Sequence, residues 1–234
     1  MVTPERLREL GAATDPRAGL TSLIFVTPGE GVTDLLLIRH AQIQSTMSAD
    51  DLHLTDLGRE QAEVLAQHLS HGKLDAIYAS PTARARETAE PLARIHTLII
   101  DVVDGLRDVE SQRPFDKPLP ELLADEYGPD EAANVMERMR AEMTFDAIAP
   151  LIESSASFRG RVTAAIEGII DGHPGERVAV VTHAPVIMSY VATILGSPRD
   201  FPMNPKLTSI TRVLAKDGRR TLDYANATPY FDER

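Results

Sequence analysis

Arg39 and His40 close one apolar run, Val32 to Ile38, and Thr182 and His183 close another, Val178 to Val181. Short runs rich in leucine and β-branched residues fill the middle of a parallel sheet, which puts each histidine where a strand passes into a loop. Ligand crevices of open α/β sheets lie at those carboxyl ends. An Arg-His pair at one strand end and a second histidine at another can converge on one anion, and phosphate suits that donor set. Two separately satisfied strand-end histidines are the alternative.

The elements that must position these residues are legible in the pattern around them. From Thr55 the spacing turns helical, with Leu54, Gly58, Gln61, Ala62, Leu65, Ala66 and Leu69 at three- and four-residue intervals, Thr55 as N-cap and His71-Gly72 as the stop. Leu74 to Ala79 reads as a strand, Thr82 to Ile95 as a helix disturbed by Pro91, and Leu98 to Val103 as another strand. Ser154 to Ile170 is amphipathic, and Val186 to Leu195 is an apolar helix ended by Gly196. Ser209 to Leu214 and Thr221 to Tyr224, separated by Asp217-Gly218, read as a closing hairpin.

Strands alternating with helices predict an α/β fold: a three-layer sandwich with a mostly parallel central sheet, helices on both faces and antiparallel content at the end. Residues 1–31 read as an N-terminal extension, with Ser22 to Val26 as a short strand and Pro28-Gly29-Glu30-Gly31 as a turn. Residues 32–234 form the main domain. Pro114, Pro118, Pro120, Pro129 and Pro150 punctuate helical stretches such as Glu131 to Met143, so 114–150 reads as a helical insertion or lid over the sheet.

At 234 residues without internal repeats, the chain fits one large domain or a domain with an insertion. A formal net charge of -11 disfavours nucleic acid, whose backbone needs a basic face. A small anion needs only a local cluster of arginines. No stretch approaches the roughly 20 apolar residues of a membrane helix, and the start has no apolar signal-peptide core. The expectation is a cytoplasmic protein with no membrane partner; a homodimer is compatible. With no cysteine, disulfides and thiolate metal sites are excluded. His53, His68, His71, His96 and His173 lack an H-E-x-x-H spacing and read as surface residues, so no metal or other cofactor is expected.

Six ordered segments together resemble the histidine phosphatase superfamily, the phosphoglycerate mutase-like group, from about Asp34 to the C-terminus. LLLIRHAQ resembles the nucleophile motif, LTDLGREQAEVLAQHL the helix after it, and DAIYASPTARARETAEPLA the second phosphate-binding segment. VDGLRDVE resembles the acid-bearing loop, ERVAVVTHAPVI the second-histidine motif, and LTSITRV with YANATPYF the last two strands. The resemblance implies that His40 is the nucleophile, that Arg39, Arg84 and His183 bind the phosphoryl group, and that a carboxylic acid protonates the leaving oxygen. By motif that acid is Asp108, where most relatives have Glu; Glu110, two residues on, faces the same side if the segment is extended. Ala41 and Ala184 stand where most relatives have Gly, which predicts a slightly altered loop path. Ser45 and Thr46 are further candidates for phosphoryl contact, and Arg86 reads as a solvated helix arginine.

The chemistry of the residues agrees. With a reference pKa of about 6.5, a histidine needs little tuning to act as a neutral nucleophile towards phosphorus. Three equatorial oxygens then require several fork-shaped donors around one point. The reading is a metal-independent phosphomonoesterase acting on small phosphorylated metabolites through a phosphohistidine, with substrate selection by 111–150, including Arg113, Lys117, Arg138 and Arg140. A phosphoglycerate mutase-type transfer and a non-catalytic phospholigand-binding protein on the same fold are the alternatives.

Overall fold

The segment Thr33–Arg39 forms a strand, β1, in which Leu35, Leu36, Leu37 and Ile38 are all fully buried. Its residues alternate between two separate cores, Leu35 and Leu37 facing one and Leu36 and Ile38 the other, as the two-residue period of a strand covered on both faces requires. A computed structural model describes residues 25–44, 52–109, 119–148 and 152–230. Among these residues five more strands follow: β2 (Ala76–Ala79), β3 (Ile100–Val102), β4 (Arg177–Thr182), β5 (Ile210–Lys216) and β6 (Arg219–Ala227). They form one sheet in the order β3-β2-β4-β1-β5-β6. Pairings among β3, β2, β4 and β1 are parallel, whereas β5 lies antiparallel to both β1 and β6.

Helices α1 (Asp56–Leu69) and α2 (Ala83–His96) cover one face through Leu65, Ala66, Ala85, Ala89 and Leu92. The other face is covered by α5 (Ser155–Gly172) through Phe158, Val162 and Ile166, and by α6 (Ala184–Leu195) through Val186, Ile187 and Tyr190. Local chemistry sets the ends of these helices. The Thr55 hydroxyl accepts from the Gly58 N–H at 2.9 Å and the Ser154 hydroxyl from the Ser157 N–H at 3.2 Å, while Gly196 ends α6 in the left-handed region at φ +63°. In the β5–β6 hairpin both turn residues, Asp217 and Gly218, have positive φ, as a tight turn matching strand twist demands.

The expected three-layer α/β sandwich is therefore present, with helical structure between β3 and β4. There α3 (Leu119–Tyr127) and α4 (Pro129–Glu142) join the α5 and α6 core through Leu123, Ala132 and Val135. Buried Asp200 ties the return from α4 to the body: its carboxylate accepts from the Phe145 N–H at 2.9 Å, the Ser155 hydroxyl at 2.5 Å and the Arg159 guanidinium at 2.7 Å.

One expectation changes. Of the strand expected over Ser22 to Val26, residues 22–24 lie outside the described residues, and Phe25 and Val26 are in no strand. Val26 instead donates its N–H to the Thr221 hydroxyl of β6 and packs on Val32 and Leu214, so a side chain rather than a ladder takes its backbone donor. Arg138 and Arg140 pair with Glu131 and Glu137 on their own helix, and both are exposed, as solvated helix charges are.

Candidate active site

In the ladder Arg39 stands opposite Thr182, and the His40 N–H donates to the Thr182 carbonyl at 2.9 Å, so His40 and His183 leave the sheet side by side. The chain leaves β1 over the face covered by α1 and leaves β4 over the face covered by α6. Their carboxyl ends are thus a topological switch point, where the divergence of the two connections opens a crevice. Two helix N-termini also start here: α2 after Thr82 and α6 after His183, neither with a side-chain cap, and both place positive dipole ends at the crevice.

The two imidazoles lie edge to face, with ring centroids 5.3 Å apart. His40 is 5% exposed, and its Nδ1 is 2.8 Å from the Ala41 carbonyl oxygen. A carbonyl only accepts, so in the neutral ring Nδ1 holds the proton and Nε2 presents its lone pair. Burial, then the neighbouring His183, pushes the His40 pKa down to about 3; Arg84 and Arg39 act in the same direction against the hydrogen bond to Ala41. The ring is therefore neutral throughout the physiological range, with its lone pair on Nε2. Fully buried His183 lies 2.8 Å from the Ser80 hydroxyl through Nε2. Burial, Arg84, Arg39 and Arg161 hold its pKa well below the usual histidine range.

Among the described residues, the guanidinium groups of Arg39 and Arg84 and the carboxylate of Asp108 stand around the rings. Arg39 donates from Nη1 to the Pro205 carbonyl at 2.6 Å. Arg84, in the first turn of α2, donates from Nη2 to Asp108 Oδ2 at 3.2 Å. Asp108 Oδ2 is also 3.4 Å from His183 Nδ1, without hydrogen-bond alignment, and its Oδ1 accepts from the Val109 N–H at 2.9 Å. Arg39, His40, Arg84, Asp108 and His183 are thus gathered around one point. Ser45, Thr46, Glu110, Arg113 and Lys117 lie outside the described residues.

Neither Ala41 nor Ala184 has a positive φ, so alanine sits at both positions without backbone strain. Ala41 is fully buried and donates its N–H to the Thr88 hydroxyl, which in turn donates to the Arg84 carbonyl, joining the two motif segments. Ser80, Thr88 and Arg161 were not picked out by the sequence reading. A small hydroxyl directly after a buried strand (Ser80), or one helical turn beyond Arg84 (Thr88), is the signal that could have found the first two.

Correction is needed for the histidines read as surface residues. His53, His68 and His71 are exposed, but His96 is half-buried and His173 sits between the Tyr78 hydroxyl at 2.8 Å and Glu176 at 2.6 Å, its side chain only 17% exposed. Polar partners on both ring nitrogens draw His173 inward. Among the described residues no group of three or more His, Asp or Glu side chains is placed to hold a metal ion.

The loop after His40 is held by a close approach that only glycine permits. A Cβ on Gly58 would lie 2.1 Å from the Gln42 carbonyl oxygen, a backbone atom that cannot swing aside. Gly58→Ala is expected to cost about 1–3 kcal/mol, the range for overpacking an interior, and to lower turnover by displacing Gln42 two residues from His40. Thermal denaturation and kcat measured together check this; an unchanged melting temperature contradicts it.

A lone pair, two cationic forks and a nearby carboxyl group at the mouth of an α/β sheet define an enzyme of the phosphoryl-transfer class. Residues 35–228 match the family model of the histidine phosphatase superfamily (branch 1), and the chain belongs to that superfamily. It is 29% identical over 167 residues to phosphoserine phosphatase 1 of Hydrogenobacter thermophilus, spanning 69% of this chain and 76% of that one. It is 30% identical over 163 residues to phosphoglycerate mutase-like protein 4 of Arabidopsis thaliana, spanning 67% and 68%. The crystal structure of phosphoglycerate mutase from Bacillus anthracis superposes with a TM-score of 0.72 over 86% of this chain and 96% of that one, at 20% identity, which shows the fold. The protein is a phosphatase or mutase-like enzyme. No helix among the described residues is long and apolar enough to cross a membrane.

Proposed function

We propose that this protein is a phosphomonoesterase that hydrolyses small phosphorylated metabolites through a phosphohistidine at His40, without a metal ion. The observation that supports it most is the His40 ring itself: buried, neutral, and fixed by Ala41 so that Nε2 is the free nucleophile. In the first step Nε2 bonds to phosphorus in line with the departing oxygen, the P–O ester bond breaks, and the Asp108 carboxyl gives its proton to the leaving alkoxide. Arg39, Arg84 and His183 receive the equatorial oxygens. Because Arg84 holds Asp108 Oδ2 in this structure, an arriving phosphoryl group competes for Arg84 and releases the carboxyl group to act as acid. In the second step Asp108 takes a proton from water, the water oxygen bonds to phosphorus, the N–P bond breaks, and phosphate leaves with His40 neutral again.

The test is hydrolysis of p-nitrophenyl phosphate and of an alkyl phosphate, each with and without a chelator. The chelator is expected to change nothing; its abolishing turnover reversibly on metal return would sink the metal-free reading. Asp108→Asn is expected to lower kcat for the alkyl ester roughly 10²–10⁴-fold, the scale of general acid catalysis. In kcat/KM, which reports the phosphorylation step, p-nitrophenyl phosphate, whose leaving group needs no proton, is expected to lose much less, while its kcat falls because Asp108 no longer activates water in the second step. If Glu110→Gln gives that pattern and Asp108→Asn does not, the acid is Glu110.

The similarity to a mutase-like plant protein supports transfer to a second phosphorylated acid as the other reading. Phosphate release that needs no bisphosphorylated priming compound favours the hydrolase. Vanadate binding with no ester turned over would favour the non-catalytic alternative.

A further inference from the structure

Four consecutive carbonyls of the segment bearing Asp108 accept hydrogen bonds from just two side chains. Leu106 accepts from the Thr182 hydroxyl at 2.9 Å. Gly105 and Arg107 accept from Arg161 Nη1 at 3.1 and 3.0 Å, and Asp108 itself accepts from Arg161 Nη2 at 3.2 Å. The same Nη2 meets Glu153 Oε1 at 2.7 Å, and the guanidinium carbon lies 5.1 Å over the Phe158 ring. Gly105 fits beneath because it lacks a side chain: a Cβ there would lie 2.7 Å from the Ala165 Cβ of α5.

Such a donor set does more than hold a helix to a loop. A short irregular segment has few backbone partners of its own, and its carbonyls need donors wherever it is packed away from water. Here those donors converge on the 3₁₀ turn Asp104–Leu106 and on Asp108, so the planar fork of one guanidinium fixes the acid's main chain relative to α5. Thr182 fixes the same segment relative to β4 one residue before His183. The side chain of an aspartate has a single methylene, so the position of its carboxylate follows its own backbone closely. A longer acid could reach past an error of an ångström by changing rotamer; this one cannot.

We infer that Arg161 is a positioning residue for the proton-transfer step. It holds the Asp108 carboxyl at the distance from the crevice that an aspartate needs, and through Glu153 it links that distance to the segment returning from α3 and α4. This rests on the phosphatase reading above. An ammonium has one charged centre and cannot bridge Gly105, Arg107 and Asp108 in a plane, so lysine is a poor replacement.

Leaving-group dependence separates positioning from plain structural support. Arg161→Gln is expected to lower kcat/KM roughly 10–100-fold for an alkyl phosphate, part of the general acid contribution, and kcat/KM for p-nitrophenyl phosphate less than about threefold. In an Asp108→Asn background the same change is expected to cost almost nothing further, because both act on one step. Arg161→Lys keeps the charge opposite Glu153 and the aliphatic stem, and is expected to show the same leaving-group pattern if Arg161→Gln proves unfolded by circular dichroism. Equal losses of kcat/KM on the two esters, or losses that add to those of Asp108→Asn, overturn the inference while leaving the phosphatase reading intact. Failure of the unmodified enzyme to hydrolyse either ester overturns the reading beneath it.

Discussion

His40→Ala is expected to abolish ester hydrolysis, lowering kcat by roughly 10⁴-fold or more, as loss of a covalent nucleophile does. No neighbour can take its place. In His183 the Ser80 hydroxyl occupies Nε2, and the other nitrogen, Nδ1, faces the Asp108 carboxylate, which favours a proton rather than a lone pair there. Arg39 and Arg84 remain to bind phosphate, and binding of inorganic phosphate to the variant is expected to stay within about tenfold of the parent, since the lost ring is neutral and is not the charge that holds the anion. Rapid-quench kinetics with labelled substrate give the second arm. In Asp108→Asn, p-nitrophenyl phosphate is expected to release a burst of one p-nitrophenolate per enzyme and leave an acid-labile, base-stable phosphoryl group on the protein. His40→Ala is expected to show no burst and no labelled protein. More than about a tenth of parent activity in His40→Ala would end the phosphohistidine mechanism.

The placement of this histidine was legible because the runs around it have only one use. Val32 to Ile38 and Val178 to Val181 are too apolar for an edge and too short for a buried helix, and they came out as neighbouring parallel strands. Helix ends were legible where a side chain sets them, at Thr55, Ser154 and Gly196, and the hairpin at Asp217-Gly218 was legible because both positions need positive φ. β3 was overread by three residues, since only Ile100–Val102 finds a partner strand and Ile99 is left 78% exposed at the sheet edge. Phe25 and Val26, the described end of the strand expected over Ser22 to Val26, make the same point: apolar residues alone do not supply a ladder.

Within the site, residues carried by a strand end or the first turn of a helix could be placed from the sequence, whereas those acting through backbone could not. Arg161 touches Gly105, Arg107 and Asp108 from more than fifty positions away, and a guanidinium that serves carbonyls leaves no pairwise charge pattern. Gly58 shows the converse. It stood in the helical pattern as one more small residue, and only the 2.1 Å clearance to the Gln42 carbonyl explains why the smallest side chain is needed there. The alanines after each histidine sit at backbone angles that alanine accepts readily.

Acid is expected to destabilise this fold steeply, because its two site imidazoles are buried uncharged. An unfolded histidine titrates near 6.5, while His40 in the fold is pushed down to about 3, first by burial and then by His183. Between those two values the unfolded chain binds a proton that the folded one refuses, so stability rises with pH across the window and falls as pH is lowered through it. The contribution is fully present above about pH 6.5 and shrinks progressively towards pH 3; for His40 alone it amounts to about 5 kcal/mol at most. That is comparable with the whole stability of many domains, about 5–15 kcal/mol. His183 shifts in the same direction and adds to the effect. Between pH 7 and pH 4.5 the His40 share predicts a fall in melting temperature of roughly 5–10 °C for a chain of this size. Surface carboxylates also titrate there, so the comparison that isolates the ring is His40→Ala against the parent: its melting temperature is expected to fall less over the same pH interval. Saturating inorganic phosphate is expected to flatten the parent's curve, because an anion beside the ring favours the imidazolium and raises its folded pKa towards the unfolded one. Parallel curves for parent and variant would show that the imidazole is not held neutral, and the nucleophile would then lack the lone pair on which its chemistry depends.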